Sequence, residues 1–395
     1  MSGFVVEWLN LLVRWGHLVV GIGWIGTSFY FVALDFQLRK RAHMPEGVYG
    51  TAWLVHGGGF YNVEKYLVAP KTLPPDLIWY KWDAYLTWVT GFALLILQYY
   101  WNARQYLIDP TVLQLAPSEA VAISVLSLGG GWLIYDRLCK SPLGRHTGLL
   151  ALAVLALILG AAWMYGEVYS GRGAFIHVGA FIGTIMAVNV FGVIVPNQRK
   201  IAASLLAGEA PDPALGATGK QRSLHNNYLT LPVLLMMVSN HYPLLTGHPY
   251  PWLIVALVVL AGGSVRHFIN RHEAGDPLGR IWWALPVATA AIAVLVVVTA
   301  PMGRSAGGPV PSDAEVTAIV EKHCTMCHSG RPTHVGITEP PKGVELTSLD
   351  DLRRYAEAIT AQAVTSNAMP LGNETRMSAA ERGELGAWLA AQSDH

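Results

Sequence analysis

Five residues near the C-terminus, Cys324-Thr325-Met326-Cys327-His328, have the types and spacing of a redox-cofactor attachment site. In Cys-x-x-Cys-His, the two thiols bond to the vinyl groups of a porphyrin and the adjacent imidazole binds its iron. A zinc site would need a second Cys/His pair at finger spacing, and the remaining cysteine, Cys139, lies far upstream. The motif therefore predicts one covalent haem c on Cys324 and Cys327, with His328 as an axial iron ligand.

The second axial ligand is expected from a methionine downstream of this motif, because a thioether is the usual partner of His in cytochromes c. Met369 lies in the segment Asn367-Ala368-Met369-Pro370, and Met377 is the competing candidate. Proline fixes the backbone of the first segment, which favours Met369. The region 311–395 has the size and helical pattern of a small cytochrome c domain.

The rest of the chain has the composition of a membrane protein. Of its 395 residues, 52% are hydrophobic and 13% are charged, whereas soluble domains carry about 25% charged residues. A net charge of +1 gives no indication of a nucleic-acid partner. Apolar runs long enough to cross a bilayer as helices occur near residues 8–34, 84–101, 119–136, 147–166, 173–195, 224–240, 250–269 and 281–300.

These runs predict an all-α fold: a transmembrane bundle of eight helices over 1–302, a linker over 303–310, and an α-helical cytochrome c domain over 311–395. An even number of spans puts both termini on one side, and haem attachment places that side outside the cytoplasm. The loops that would then face inside contain fifteen Lys and Arg residues, against only Arg104 and Arg172 outside. This asymmetry follows the positive-inside rule and predicts a multi-pass protein of a bacterial inner membrane, with the cytochrome c domain in the periplasm.

Ionisable residues inside predicted spans are functional-site hypotheses, because burying them in lipid is expensive. His17 lies near the middle of the first span, and His177 lies nearer the outside in the fifth. Both are candidate ligands of a second, non-covalent haem b, and His241 is an alternative second ligand. The competing interpretation of His17 is an interior histidine satisfied by hydrogen bonds.

The long loop over residues 35–83 contains His56-Gly57-Gly58-Gly59 and, after it, Glu64 and Lys65. A glycine triplet lets backbone amides approach a ligand, and the three ionisable side chains offer acid, base and anion-binding groups. The competing interpretation is a flexible turn before an amphipathic helix at the membrane surface.

Three stretches resemble the urate oxidase N-terminal family: Trp15–Phe31, the loop from His56 to Tyr66, and Pro74–Leu86. In this family, an eight-span membrane domain is fused to a cytochrome c and acts as a urate hydroxylase. The resemblance implies oxidation of urate to 5-hydroxyisourate, with electrons passed to the cytochrome c and not directly to dioxygen. The final acceptor would then be a soluble cytochrome c or a terminal oxidase.

Urate is a planar anion, so its site needs cationic donors, aromatic rings and a base that activates water. The candidate catalytic residues fall at the inner face, where cytoplasmic urate would arrive: His56, Glu64, Lys65, His225 and Asn226. Two other functions remain open at this point. One is a quinol-to-cytochrome c oxidoreductase, and the other is a non-enzymatic membrane electron carrier or transporter.

Overall fold

The computed structural model describes residues 3–66, 73–74, 76–300 and 310–393. The predicted linker 303–310 therefore lies outside the described residues except for Val310. The longer helices of the first 300 residues are α1 (Gly3–Gln37), α2 (Trp82–Leu94), α4 (Pro117–Lys140), α5 (Thr147–Val168), α6 (Gly171–Val188), α7 (Val195–Leu206), α8 (Pro213–Val238), α10 (Pro251–Glu273) and α12 (Ala284–Thr299). Short helices α3 (Ala103–Tyr106), α9 (Pro243–Thr246) and α11 (Leu278–Ile281) lie between them.

Six helical segments of the described chain are long and apolar enough to cross a membrane. They are Phe4–Gln37, Pro117–Lys140, Thr147–Val168, Gly171–Leu206, Pro251–Glu273 and Leu278–Thr299. These coincide with six of the eight predicted spans. The other two predicted spans are also helical, as α2 and α8, but neither is among these six segments. In α8, buried polar residues and Pro232 interrupt the apolar sequence.

Two π-helical turns lengthen helices of this bundle. Leu95–Tyr100 continues α2, and Asn189–Ile194 joins α6 to α7, so that Pro196 does not end the helix there. Single π-helical turns inside helices often occur at functional sites. Close packing of α4 on α6 depends on Gly131, because a Cβ atom there would lie 1.9 Å from the ring of Phe181.

The helices run up and down, so the bundle has two distinct ends. Loops after α2, α5 and α8 gather at one end, where the C-terminal helical unit (310–393) packs against them. We call this the motif end, because that unit carries the Cys-x-x-Cys-His motif. The opposite end, which we call the hairpin end, holds the connection from α1 to α2.

The prediction of an all-α fold is wrong for that connection. Residues Val48–His56 (β1) and Gly59–Tyr66 (β2) form an antiparallel two-stranded hairpin. Gly57 and Gly58 form its turn with φ angles of 58° and 81°, which residues other than glycine adopt at a steric cost. The glycine triplet therefore serves a tight hairpin turn, and the expected interfacial helix does not form in the described residues before Trp82.

Two large apolar cores support the described residues, besides a small cluster of Ala84, Val190 and Val195. The larger one joins α4, α5, α6, α8 and α10, whereas most α1 side chains remain partly or fully exposed. The smaller core belongs to the C-terminal unit, whose main helices are α13 (Asp313–His323), α14 (Leu349–Arg354), α15 (Ala356–Ile359) and α16 (Ala379–Ser393). Its helix α13 begins with a capping box of Ser312 and Glu315.

Candidate active site

A cluster of polar side chains lies inside the half of the bundle nearest the hairpin end. Helix α4, the π-helical turn after α6, and α8 supply it. We call it the Tyr135 cluster, and its members are Tyr135, Asp136, Asn189, Arg222, His225 and Asn226. All but His225 are at most 6% exposed. The α8 members share one helical face because residues three and four positions apart align on a helix.

A chain of hydrogen bonds fixes the side chains on the α6 side of this cluster. The Asn226 amide donates to the Met186 carbonyl at 2.9 Å, and its oxygen accepts from Asn189 Nδ2 at 3.0 Å. Asn189 Nδ2 also donates to Tyr135 Oη at 3.0 Å. The same Oη lies 2.7 Å from Nδ1 of His225. The ring of His225 is therefore oriented through one nitrogen, and Nε2 is the nitrogen left for a ligand.

Arg222 is the most unusual member of the cluster, because its guanidinium is fully buried and only partly paired. Its Nη2 donates to Asp136 at 2.7 Å, and its Cζ lies 4.9 Å from the Tyr135 ring centre. Within the described residues, Nε and Nη1 have no acceptor, and Oδ1 of Asn189 has no donor. Each unsatisfied buried polar group costs about 1–3 kcal/mol, and charged groups cost more. A ligand that offers acceptors to Arg222 and a donor to Asn189 would remove this penalty.

Helix α10 contributes a second buried arginine, Arg266, which lies against the opposite face of α8. Arg266 donates to Asn227 at 3.3 Å and to Asn270 at 2.9 Å, and its guanidinium lies 4.0 Å from the Phe29 ring centre. No carboxylate of the described residues forms an ion pair with it at 4.0 Å or less. This half of the bundle therefore contains two buried arginines, of which Arg222 has a carboxylate partner and Arg266 has none among the described residues.

The half of the bundle nearest the motif end holds an aromatic cluster around His177. This histidine is fully buried. Its Nδ1 donates to the Gly173 carbonyl at 2.7 Å, and its Nε2 lies 2.7 Å from the Ser124 hydroxyl. The rings of Tyr165 and Tyr169 pack on it, with centre distances of 5.4 and 4.6 Å.

His17 and His177 do not face each other across a shared haem site in the described structure; each has hydrogen-bond partners of its own. Both ring nitrogens of His177 are occupied by hydrogen bonds and aromatic rings cover its faces, so it offers iron no free nitrogen. His17 contacts a different helix, α2, where its Nδ1 lies 3.0 Å from Thr90 Oγ1. His241, the alternative ligand, is exposed. In the described structure, these residues do not fit a shared haem.

The residues predicted to hold haem c do fit that group. His328 donates from Nδ1 to the Val344 carbonyl at 2.9 Å, which leaves Nε2 for iron. Cys324 and Cys327 are free thiols. Burial, and then the neighbouring Cys327, raise the pKa of Cys324 to about 11. Burial also raises the pKa of Cys327.

Met369 and Met377 both pack near Cys324 in the core of the C-terminal unit. Met377 is 2% exposed, whereas Met369 is partly exposed in its loop. Arg382 holds that loop by donating to the Met369 carbonyl at 2.6 Å. The structure leaves both thioethers as candidate iron ligands, and Met369 stays the prediction.

The predicted catalytic residues are divided between two places. His225 and Asn226 belong to the Tyr135 cluster. His56 lies exposed at the tip of the hairpin, and Lys65 forms an ion pair with Asp35 at 2.6 Å. Glu64 accepts from the Tyr66 hydroxyl at 3.2 Å. The hairpin residues thus do not converge with the buried cluster in the described structure.

Comparison with known families assigns the first three quarters of the chain. The family described as Urate oxidase N-terminal matches residues 3–300. The chain belongs to the urate oxidase N-terminal family. The match to this urate oxidase family includes every residue of the Tyr135 cluster and ends before the C-terminal unit. No curated protein and no solved structure matches the chain.

Sequence reasoning did not predict four members of the Tyr135 cluster: Tyr135, Asp136, Asn189 and Arg222. From sequence alone, Arg222 is one of the fifteen basic residues assigned to the inner loops. A usable signal was present, because Arg222, His225 and Asn226 have the spacing of one helical face. The shared helical face can be recognised only if α8 begins well before residue 224, because the predicted apolar run starts at residue 224 and excludes Arg222.

Proposed function

We propose that this protein oxidises urate to 5-hydroxyisourate in the Tyr135 cluster and passes the electrons to a haem c on its C-terminal unit. The balanced half-reaction is urate plus water, giving 5-hydroxyisourate, two protons and two electrons. Membership of the urate oxidase N-terminal family supports urate as the substrate. The observation that carries the location is the pair of unpaired, buried donors on Arg222.

The unpaired atoms of the cluster complement the edge of a urate anion. Urate is planar and alternates carbonyl oxygens with N–H groups around its rings. The guanidinium of Arg222 offers Nε and Nη1 as a flat fork for adjacent acceptors. Oδ1 of Asn189 would accept an N–H of the same molecule. The two residues flank Tyr135, so one planar ligand beside that ring would meet both.

His225 is the proposed base for the attacking water. In the tautomer that donates from Nδ1 to Tyr135 Oη, the ring keeps Nε2 unprotonated for a proton from water. The hydrogen bonds of Tyr135 and Asn189 would hold the imidazole ring in this orientation. Positive charge on Arg222 would also stabilise negative charge that develops on the heterocycle.

The C-terminal unit would receive the electrons. Cys324 and Cys327 would hold haem c by thioether bonds, His328 and Met369 would bind its iron, and the group would supply a one-electron acceptor. Because urate would release two electrons and one haem would accept one, each urate would require two successive electron transfers. A soluble cytochrome c or a terminal oxidase would reoxidise the protein. The basic loops at the hairpin end support an orientation with that end in the cytoplasm of a bacterium and the C-terminal unit in the periplasm.

The origin of the new oxygen atom tests this proposal. Purified holoprotein would be incubated with urate, oxidised cytochrome c and isotopically labelled water without dioxygen. The expected product is 5-hydroxyisourate that carries oxygen from water, formed as the acceptor is reduced. Product formation that requires dioxygen would overturn the proposal. Reduction of the acceptor by quinol but not by urate would instead favour a quinol oxidoreductase.

A further inference from the structure

A second polar site lies at the motif end, between the bundle and the C-terminal unit. It is a cavity of about 230 Å³, smaller than the roughly 300–1,000 Å³ of typical pockets for drug-sized ligands. Two glycines allow the bundle and the C-terminal unit to approach each other closely around this cavity. A Cβ on Gly372 would lie 2.5 Å from the Arg104 carbonyl, and a Cβ on Gly247 would lie 2.5 Å from Ser366.

Two oppositely charged side chains line this cavity without pairing with each other. Asp109 is 7% exposed, and its Oδ1 accepts from the Thr111 amide at 2.9 Å and hydroxyl at 2.6 Å. Among the described residues, its other oxygen forms no hydrogen bond, although its charge acts on Arg382 of the C-terminal unit. Arg172 lines the same cavity, and its buried Nε has no acceptor in the described chain. A cavity with one free acceptor and one free cationic donor suits a small molecule that bears both an anionic acceptor and an N–H.

The other residues of the cavity strengthen this complementarity. The first turn of the 18-residue helix α6 lines it, and helix N-termini favour anions. His248 and Asn367 are further polar residues of the lining, and Tyr169 is an aromatic one. These are the same kinds of group that the Tyr135 cluster contains.

We propose that this cavity is a second binding site for a small, planar, amide-rich monoanion, the chemical class of urate and its oxidation product. The choice of urate as the probe rests on the proposed function. Asn367 and Ala368 line the cavity directly before Met369, so a ligand there would lie beside the proposed haem c ligand. The Tyr135 cluster is much farther away: Tyr135 is eighteen residues from Pro117 at the motif end of α4, or about 27 Å at helical rise.

The experiment counts bound urate on holoprotein kept fully reduced, so that no turnover consumes the ligand. Equilibrium dialysis with radiolabelled urate is expected to give about two molecules per chain for the native protein. Arg172→Gln and Arg222→Gln should each leave about one, and the double variant should leave none. Asp109→Asn is a second, milder variant of the cavity and should weaken the same site as Arg172→Gln.

Arg104→Gln is the matched control, because this exposed cation lies at the same end but outside the cavity. It should retain both sites, and the haem spectrum checks folding in every variant. One bound urate that disappears in Arg222→Gln but persists in Arg172→Gln and Asp109→Asn would overturn the second site and leave the proposed function intact. Loss of all binding in Arg172→Gln alone would support the cavity and overturn the Tyr135 cluster as the urate site.

Discussion

Arg222→Gln is expected to slow the reduction of haem c by urate about 100-fold, while the visible spectrum of the haem stays unchanged. Glutamine lacks the charge and the flat fork of donors that the guanidinium offers. A 100-fold loss corresponds to about 2.7 kcal/mol, within reach of two charge-assisted hydrogen bonds of about 1.5–3 kcal/mol each. Stopped-flow spectroscopy of the haem after anaerobic mixing with urate measures the rate.

Lys220→Gln is the matched control for this prediction. Lys220 is a cation on the same helix but is exposed, so its removal should leave the rate unchanged. Arg222→Gln also leaves Asp136 paired only with the exposed Lys140, at 2.7 Å, and a double variant with Asp136→Asn removes the charge that has lost its buried partner. If Arg222→Gln and the double variant both reduce haem c at the native rate, the Tyr135 cluster does not bind urate.

Cys324→Ser together with Cys327→Ser is expected to abolish both covalent haem and urate-driven electron transfer. Serine cannot form the thioether bonds, so no haem should remain on the chain after denaturing electrophoresis. Met369→Ala is the informative comparison, because it should keep the haem attached and remove only the thioether-to-iron band of the spectrum. An unchanged band in Met369→Ala would indicate that Met377, and not Met369, binds the iron.

Retention of covalent haem in the double serine variant would contradict the assignment of the motif. Absence of covalent haem from the native protein after expression with a cytochrome c maturation system would contradict it more directly. In either case the electrons from urate would need another acceptor. The fold of the bundle and its family membership would be unaffected.

Apolar length and composition predicted most of the bundle, because those properties determine where a helix is stable in lipid. Apolar length and composition did not predict the full extent of a helix where polar residues interrupt its apolar sequence. Helix α8 begins at Pro213, eleven residues before its apolar run, and Arg222 lies in this unrecognised part. Hydropathy treats such residues as loop, although burial and pairing with Asp136 make them part of the packed interior.

The hairpin was missed for a different reason. Its turn at Gly57-Gly58 and the flanking Val and Phe residues form a recognisable hairpin pattern, but glycine triplets also occur where backbone binds a ligand. Local sequence could not separate these two interpretations. The structure identifies a hairpin, because the antiparallel register pairs His56 with Gly59 and Val55 with Phe60.

Contacts between distant segments could not be predicted from one sequence. Asn189 meets Asn226 and Tyr135 only because a π-helical turn places its amide beside α4 and α8. Asp109 and Arg172 likewise come together only when the loops of the motif end assemble. Single polar residues in these positions have no local pattern that would separate them from surface residues.

The most direct measurement of the central claim is anaerobic titration of the oxidised, purified holoprotein with urate, followed by visible and ultraviolet spectroscopy. We predict full reduction of haem c, with one urate consumed for every two haems reduced and 5-hydroxyisourate formed in equal amount to the urate lost. Haem c that stays oxidised in the presence of excess urate, yet is reduced by dithionite, would contradict the account.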